Sequence, residues 1–159
     1  MGLVFKEVII PNKVYLEVTK KLERHRGHFL KAIKEKLIKI TNVSELELCQ
    51  RQGIDSFLIS YRDSLDDGEL HATALANELG IKLMLTDDRN ATRLIQYCTD
   101  IVCVTHWEYI FLCIAEKKLS FEDGQAIFEN INALVSHPIG VQFAELMKRA
   151  KDKFREQSA

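Results

Sequence analysis

The chain has 159 residues, 47% of them hydrophobic and 28% charged, with a formal net charge of -1. This length and apolar content suit one compact domain, residues 1–159, with a real core. The near-balanced charge leaves no global field that would draw in nucleic acid or a membrane surface, so such binding has to come from a local patch. No apolar run approaches the ~18–20 residues needed to cross a bilayer, and Met1 to Pro11 lacks a signal-peptide layout. A cytoplasmic location is expected. Cys49, Cys98, Cys103 and Cys113 form no CxxC pair and have no histidine at ligand spacing. They are expected to be reduced thiols, the last three packed as small hydrophobes.

In chain order, Glu7–Ile10 is a β-branched run ending at Pro11, which predicts a buried strand leading into a helix. The helix begins at Asn12, with Val14, Val18 and Leu22 at spacings of three and four. Gly27 marks a break before a second helix through Phe29, Leu30 and Ile33, and Leu37–Ile40 predicts another strand. Ser44 starts a helix toward Tyr61, with an interruption expected at Gly53–Ile54. Asp66, Asp67 and Glu69 open a helix as a capping box with acids favouring its dipole, and Gly80 closes it. Lys82–Leu85 predicts a strand, Thr86-Asp87-Asp88 a turn, Asn90–Tyr97 a helix and Ile101–Val104 the next strand. Strand–helix–strand alternation implies a parallel sheet with right-handed crossovers. From about residue 105 the pattern is helical, with breaks near Lys118–Ser120 and His137–Pro138 and a capping box at Ser120 and Asp123.

Sites on parallel α/β sheets lie beyond the carboxyl ends of the strands, which is where Asp87 and Asp88 fall. Acids gathered there suit Mg²⁺ or Mn²⁺, which prefer carboxylate oxygens. Each acid also has a plainer explanation: Asp87 or Asp88 as a helix cap, Asp66 and Glu69 as a capping box, Glu17 as a surface charge. Lys20, Lys21, Arg24, Arg26, Lys31, Lys34, Lys36 and Lys39 lie close together, opposed only by the acids Glu23 and Glu35. Phosphate binding is electrostatic first, so this run is the candidate RNA contact, a solvated helix face being the alternative. His106 and Trp107 are expected to serve packing rather than catalysis. No Gly-rich phosphate loop follows any strand, so a small-ligand α/β domain has little support.

The segment from Leu65-Asp66-Asp67-Gly68-Glu69-Leu70 into Leu83-Met84-Leu85-Thr86-Asp87-Asp88-Arg89 resembles the PIN-domain family, closest to its toxin-like branch. Phe5 to Val18 upstream and Thr105 to Lys118 downstream resemble flanking stretches of that branch. The resemblance implies a PIN-like three-layer α/β fold, a parallel sheet flanked by helices. It also implies metal-dependent cleavage of RNA, with Mg²⁺ or Mn²⁺ held by acids from separate segments. By position, Glu17, Glu69 and Asp88 match the catalytic, metal-holding acids, and Asp87 is a further metal candidate in the same turn. A toxin role would bring an antitoxin protein as partner. The family's first central strand and its aspartate have no counterpart before Phe5. The gap is expected to be covered by another chain, a rearranged N-terminus or a second copy, or the gene product to be longer at its N-terminus. The loss motivates an alternative: a degenerate domain that binds RNA or protein without cutting.

Overall fold

A computed structural model describes residues 8–21, 26–135 and 137–156. Packing divides the described residues into two compact units, one within residues 8–84 and 88–103, the other within 85–87 and 104–156.

In the first unit, β1 (Val8–Pro11) and β2 (Ile38–Thr41) pair in parallel, Val8 against Ile38 and Pro11 against Thr41. Between them run α1 (Asn12–Lys21) and α2 (Arg26–Lys34), held together by stacked rings of Tyr15 and Phe29 with centroids 6.2 Å apart. Gly27 sits inside the first turn of α2 rather than between the helices. Glu7 and Leu22 lie outside the described residues.

The chain then passes through a short 3₁₀ turn, Val43–Glu45, into α3 (Leu48–Tyr61). The interruption expected at Gly53 is absent: α3 runs through it, and Ile54 is 1% exposed in the core. A Cβ on Gly53 would overlap the Glu78 carboxylate of α4 (Asp67–Glu78). The glycine therefore serves close approach between helices, not a break. Beside it, Ile54, Ala74 and Leu75 form a core cluster with Ile9, Phe57 and Leu58 against it.

β3 (Leu83–Leu85) pairs with β4 (Val102–Val104), with α5 (Arg89–Cys98) between them in sequence. Val102 N–H donates to Lys82 C=O at 2.8 Å, and Thr86 N–H to Val104 C=O at 3.0 Å. Advancing along one strand advances along the other, so this pair is also parallel. The expected mixed α/β fold with parallel strands is present. Among the described residues the strands form two separate pairs rather than one continuous sheet. α4 touches the cores beside both: Leu75 packs in the cluster that Ile9 joins, and Ala76 in the cluster that Met84 and Cys103 join.

The second unit is helical, as expected from about residue 105: α6 (His106–Ala115), α7 (Phe121–Leu134) and α8 (Phe143–Glu156). Phe143 is the hub of its core, 5.1 Å from the Phe121 ring and 5.4 Å from that of Phe128. Ser120 caps α7, its Oγ accepting from the Asp123 N–H at 3.0 Å. The break near Pro138 is pinned by Asn132, which donates to Ile139 C=O and accepts from its N–H.

Three helices end by the same device. Leu37, Ile81 and Lys118 each donate a backbone N–H five residues back, to Ala32, Ala76 and Cys113. The preceding residue adopts positive φ each time: Lys36 at 59°, Gly80 at 67° and Lys117 at 57°. This satisfies orphan carbonyls at the helix ends. The Gly80 stop and the break near Lys118 were legible from sequence; that lysines would hold positive φ at Lys36 and Lys117 was not, because lysine disfavours that backbone region. All four cysteines are free; Cys103 is buried, Cys98 and Cys113 are half-buried, and Cys49 is exposed.

Candidate functional site

Four acids carry the expected chemistry, and they sit in three settings. Glu17, on α1, is half-buried and reaches the start of α4: a Cβ placed on Gly68 would stand 3.0 Å from Glu17 Oε2 and 3.7 Å from Val14 Cγ2. Gly68 directly precedes Glu69, itself half-buried in the first turn of α4. Two acids from distant segments thus come to one helix N-terminus, where exposed N–H groups and the helix dipole favour negative charge. Asp66 holds the N-cap position of α4, yet its side chain makes no capping bond, unlike the expected capping box. Asp67 turns instead to Lys13 on α1, Oδ2 to Nζ 2.7 Å. That ion pair holds Asp67 below the ordinary carboxylate range and raises Lys13.

Asp88 is exposed and caps α5: its Oδ1 accepts from Asn90 N–H at 2.6 Å and Ala91 N–H at 2.8 Å. The simpler role foreseen for this residue is therefore real, and any metal would share the carboxylate with it.

Asp87 is committed elsewhere. Its Oδ1 accepts from the His106 backbone N–H at 3.0 Å and its Oδ2 meets His106 Nδ1 at 2.8 Å, tying the end of β3 to the first turn of α6. Burial pushes the Asp87 carboxyl up, but the hydrogen bonds from the His106 side chain and backbone outweigh it, leaving it below its ordinary value of 3.8. The His106 ring stacks on Phe128, centroids 5.9 Å apart, so it packs as expected and also orients an acid. A depressed carboxyl stabilises the fold in its ionised form. Its contribution is complete above pH 3.8 and is lost as pH falls through the lower folded value. Acid unfolding followed by circular dichroism is expected to be less steep in that window for Asp87→Asn. An unchanged acid limb would show that the contact contributes nothing.

The basic residues divide similarly. Lys20 on α1 and Arg26, Lys31 and Lys34 on α2 are exposed, with Lys31 3.7 Å from Glu35. Arg24 and the Lys21 side chain lie outside the described residues.

Among the described residues, no three of His, Cys, Asp and Glu gather closely enough to hold a metal ion. The donor chemistry still fits a hard cation in one respect. Mg²⁺ keeps several waters and is usually bound through one or two carboxylates plus substrate phosphates. Glu17 and Glu69 are carboxylates of that kind brought toward one helix turn, whereas Asp87 has both oxygens bonded to His106. Sequence reasoning missed Lys13, Gly68 and the Asp87–His106 contact. Only the one-turn spacing of Lys13 and Glu17 hinted at a shared helix face.

No helix among the described residues is long and apolar enough to cross a membrane. No curated protein and no solved structure matches this sequence. A family model described as a PIN domain matches residues 2–98, more than half of the chain, spanning the first three of the four strands among the described residues and every candidate acid. The chain belongs to the PIN-domain family.

Proposed function

We propose that this chain is a metal-dependent endoribonuclease of PIN type, with Glu17, Glu69 and Asp88 as its acids. Membership of a generally nuclease-like family supports the class. The observation that carries the reading is the approach of Glu17 to Gly68, which brings an acid of α1 beside the helix turn that bears Glu69. Bound Mg²⁺ or Mn²⁺ would supply water activation and charge stabilisation at the phosphodiester. The chain's own part is to hold the ion through Glu17 and Glu69, with Asp88 sharing its carboxylate between the ion and the α5 cap, and to meet the RNA backbone with Lys20, Arg26, Lys31 and Lys34, which are exposed. With so few carboxylates, one of them shared, binding of the ion depends on substrate phosphates, so metal affinity is expected to be weak without RNA and tighter with it.

A second reading is favoured by a specific observation, the absence of any group of three ligands among the described residues. Under it the domain binds RNA without cutting.

The test is incubation of purified protein with single-stranded RNA in Mg²⁺ or Mn²⁺, with chelator controls. Cleavage that needs the metal and falls about 100-fold or more in Glu17→Gln, Glu69→Gln and Asp88→Asn is expected, the scale of losing an electrostatic contact to the transition state. Asn is as good an N-cap as Asp. Asp88→Asn therefore keeps α5 capped while removing the charge. Wild-type cleavage by Asp88→Asn would reduce Asp88 to a cap. Salt-sensitive RNA binding with no metal-dependent cleavage would establish the second reading.

A further inference from the structure

We infer that Lys13 is a positioning residue: its ion pair with Asp67 sets the register of α1 on α4, so that Glu17, one turn further along α1, lands in the slot left by Gly68. The proposal rests on the nuclease reading only where metal binding is its readout.

The seam between the two helix faces is marked by one ion pair and by two side chains that approach the open side of Gly68. Lys13 Nζ stands 2.7 Å from Asp67 Oδ2. Val14 and Glu17 flank the position a Gly68 side chain would take. Residues 13, 14 and 17 lie on one face of α1, because side chains four apart stand one above the other. Asp67 and Gly68 are the first two residues of α4. Two fixed points one helical turn apart, a charge contact and a side-chain-free slot, define both the sliding and the rotation of α1 along α4.

Each component has a reason to be that residue type. A lysine that is N-terminal to a glutamate by four residues has the weaker orientation for an intrahelical pair. Here Lys13 extends across to Asp67, leaving the Glu17 carboxylate to lie against the backbone of Gly68. Glu17 also acts on Lys13 through space, raising it together with Asp67. At Gly68 a Cβ would stand 3.0 Å from Glu17 Oε2, tighter than ordinary van der Waals contact, so the carboxylate would have to shift by a few tenths of an ångström to admit one. Glycine costs helix stability in a first turn relative to alanine, and the close approach of Glu17 accounts for it here.

The experiment uses the full ¹⁵N-labelled chain and reads the Gly68 amide resonance. Glu17→Gln is expected to move that resonance in the wild-type background and in Lys13→Arg. The movement is expected to be at least roughly twofold smaller in Lys13→Met, the signature of coupled contacts in a double-mutant comparison. Exchanging the pair, Lys13→Asp with Asp67→Lys, is expected to restore it. An equal movement in Lys13→Met overturns the proposal, whatever the chain does to RNA.

A second arm measures Mn²⁺ binding by electron paramagnetic resonance. Lys13→Met is expected to weaken it about tenfold, as loss of a group that orients ligands does, with recovery in Lys13→Arg. Tighter Mn²⁺ binding in Lys13→Met would show that the ammonium only competes with the ion, and would also overturn the proposal. Wild-type protein that binds no Mn²⁺ counts against the metal reading of the previous section. The amide arm then decides the positioning claim alone.

Discussion

Lys153→Met is expected to destabilise the helical unit by about 2–3 kcal/mol, toward the lower end of what losing one partner of a buried ion pair costs. Glu108 is the reason. Its side chain is only 6% exposed, and it is a charged residue in the first turn of α6. Oε2 accepts from the Thr105 N–H at 2.9 Å, completing a capping box with Thr105 Oγ1, which accepts from the Glu108 N–H at 3.3 Å. Oε1 is held by Lys153 Nζ of α8 at 2.7 Å. Methionine keeps the apolar stem but leaves a carboxylate with only one backbone donor to offset its desolvation. The Lys153 side chain is 35% exposed, so water relieves part of the loss and brings it to or below the lower end of the cost of breaking a fully buried pair. For a chain of this size the thermal midpoint should fall by roughly 4–12 °C. Glu108→Gln combined with Lys153→Met removes the stranded charge and should recover much of the difference. A single variant within about 1 °C of wild type would mean that the clasp contributes little.

The clasp illustrates what a sequence discloses and what it withholds. Thr105 and Glu108 spell a capping box by spacing alone, and the complete box is present. Ser120 and Asp123 have the same spacing, but only half of the box forms: Ser120 Oγ accepts from the Asp123 N–H, while the Asp123 carboxylate accepts from the Ser120 hydroxyl. Gly80 signals its helix end, and the alternation of strands and helices from Lys82 to Val104 follows from composition. These features are local. Asp87 and His106 are 19 residues apart, and neither has a pattern that names the other. Glu17 shows only helical spacing, and its placement depends on Gly68, whose glycine reads equally as a weak helix start. Gly53 is the clearest case of local evidence pointing the wrong way. It looks like a breaker until Glu78 of the neighbouring helix is seen to need the space. The family resemblance located the acids in the chain, but whether an acid caps a helix, clasps a histidine or faces a cation is decided by partners brought together only by tertiary packing.

Ile95→Ala tests that packing where it is densest, and should cost about 3–4 kcal/mol. Ile95 is 0% exposed, surrounded by Ala76, Ala91, Ile101 and Cys103, with Met84 and Ile81 packed against the cluster. Two of those neighbours are alanines on α4 and α5, too short to move into a void. A cavity lined by the ends of small side chains persists, and each persistent Å³ adds to the transfer cost of the lost methylenes. Ile95→Val removes one methylene and should cost only about 1 kcal/mol. Tyr97→Ala, on the same helix but with Tyr97 89% exposed, should fall within about 0.5 kcal/mol of wild type. Urea denaturation separates these outcomes, with the midpoint moving and the slope unchanged if only core packing is affected. The backbone of Ile95 is not at stake. Its carbonyl accepts from Thr99 Oγ1 and from the Thr99 N–H at the end of α5, bonds that any residue at 95 keeps. A loss in Ile95→Ala no larger than in Ile95→Val would mean that α5 relaxes into the space. The cap that Asp88 provides would then sit on a helix free to shift, not on a fixed one.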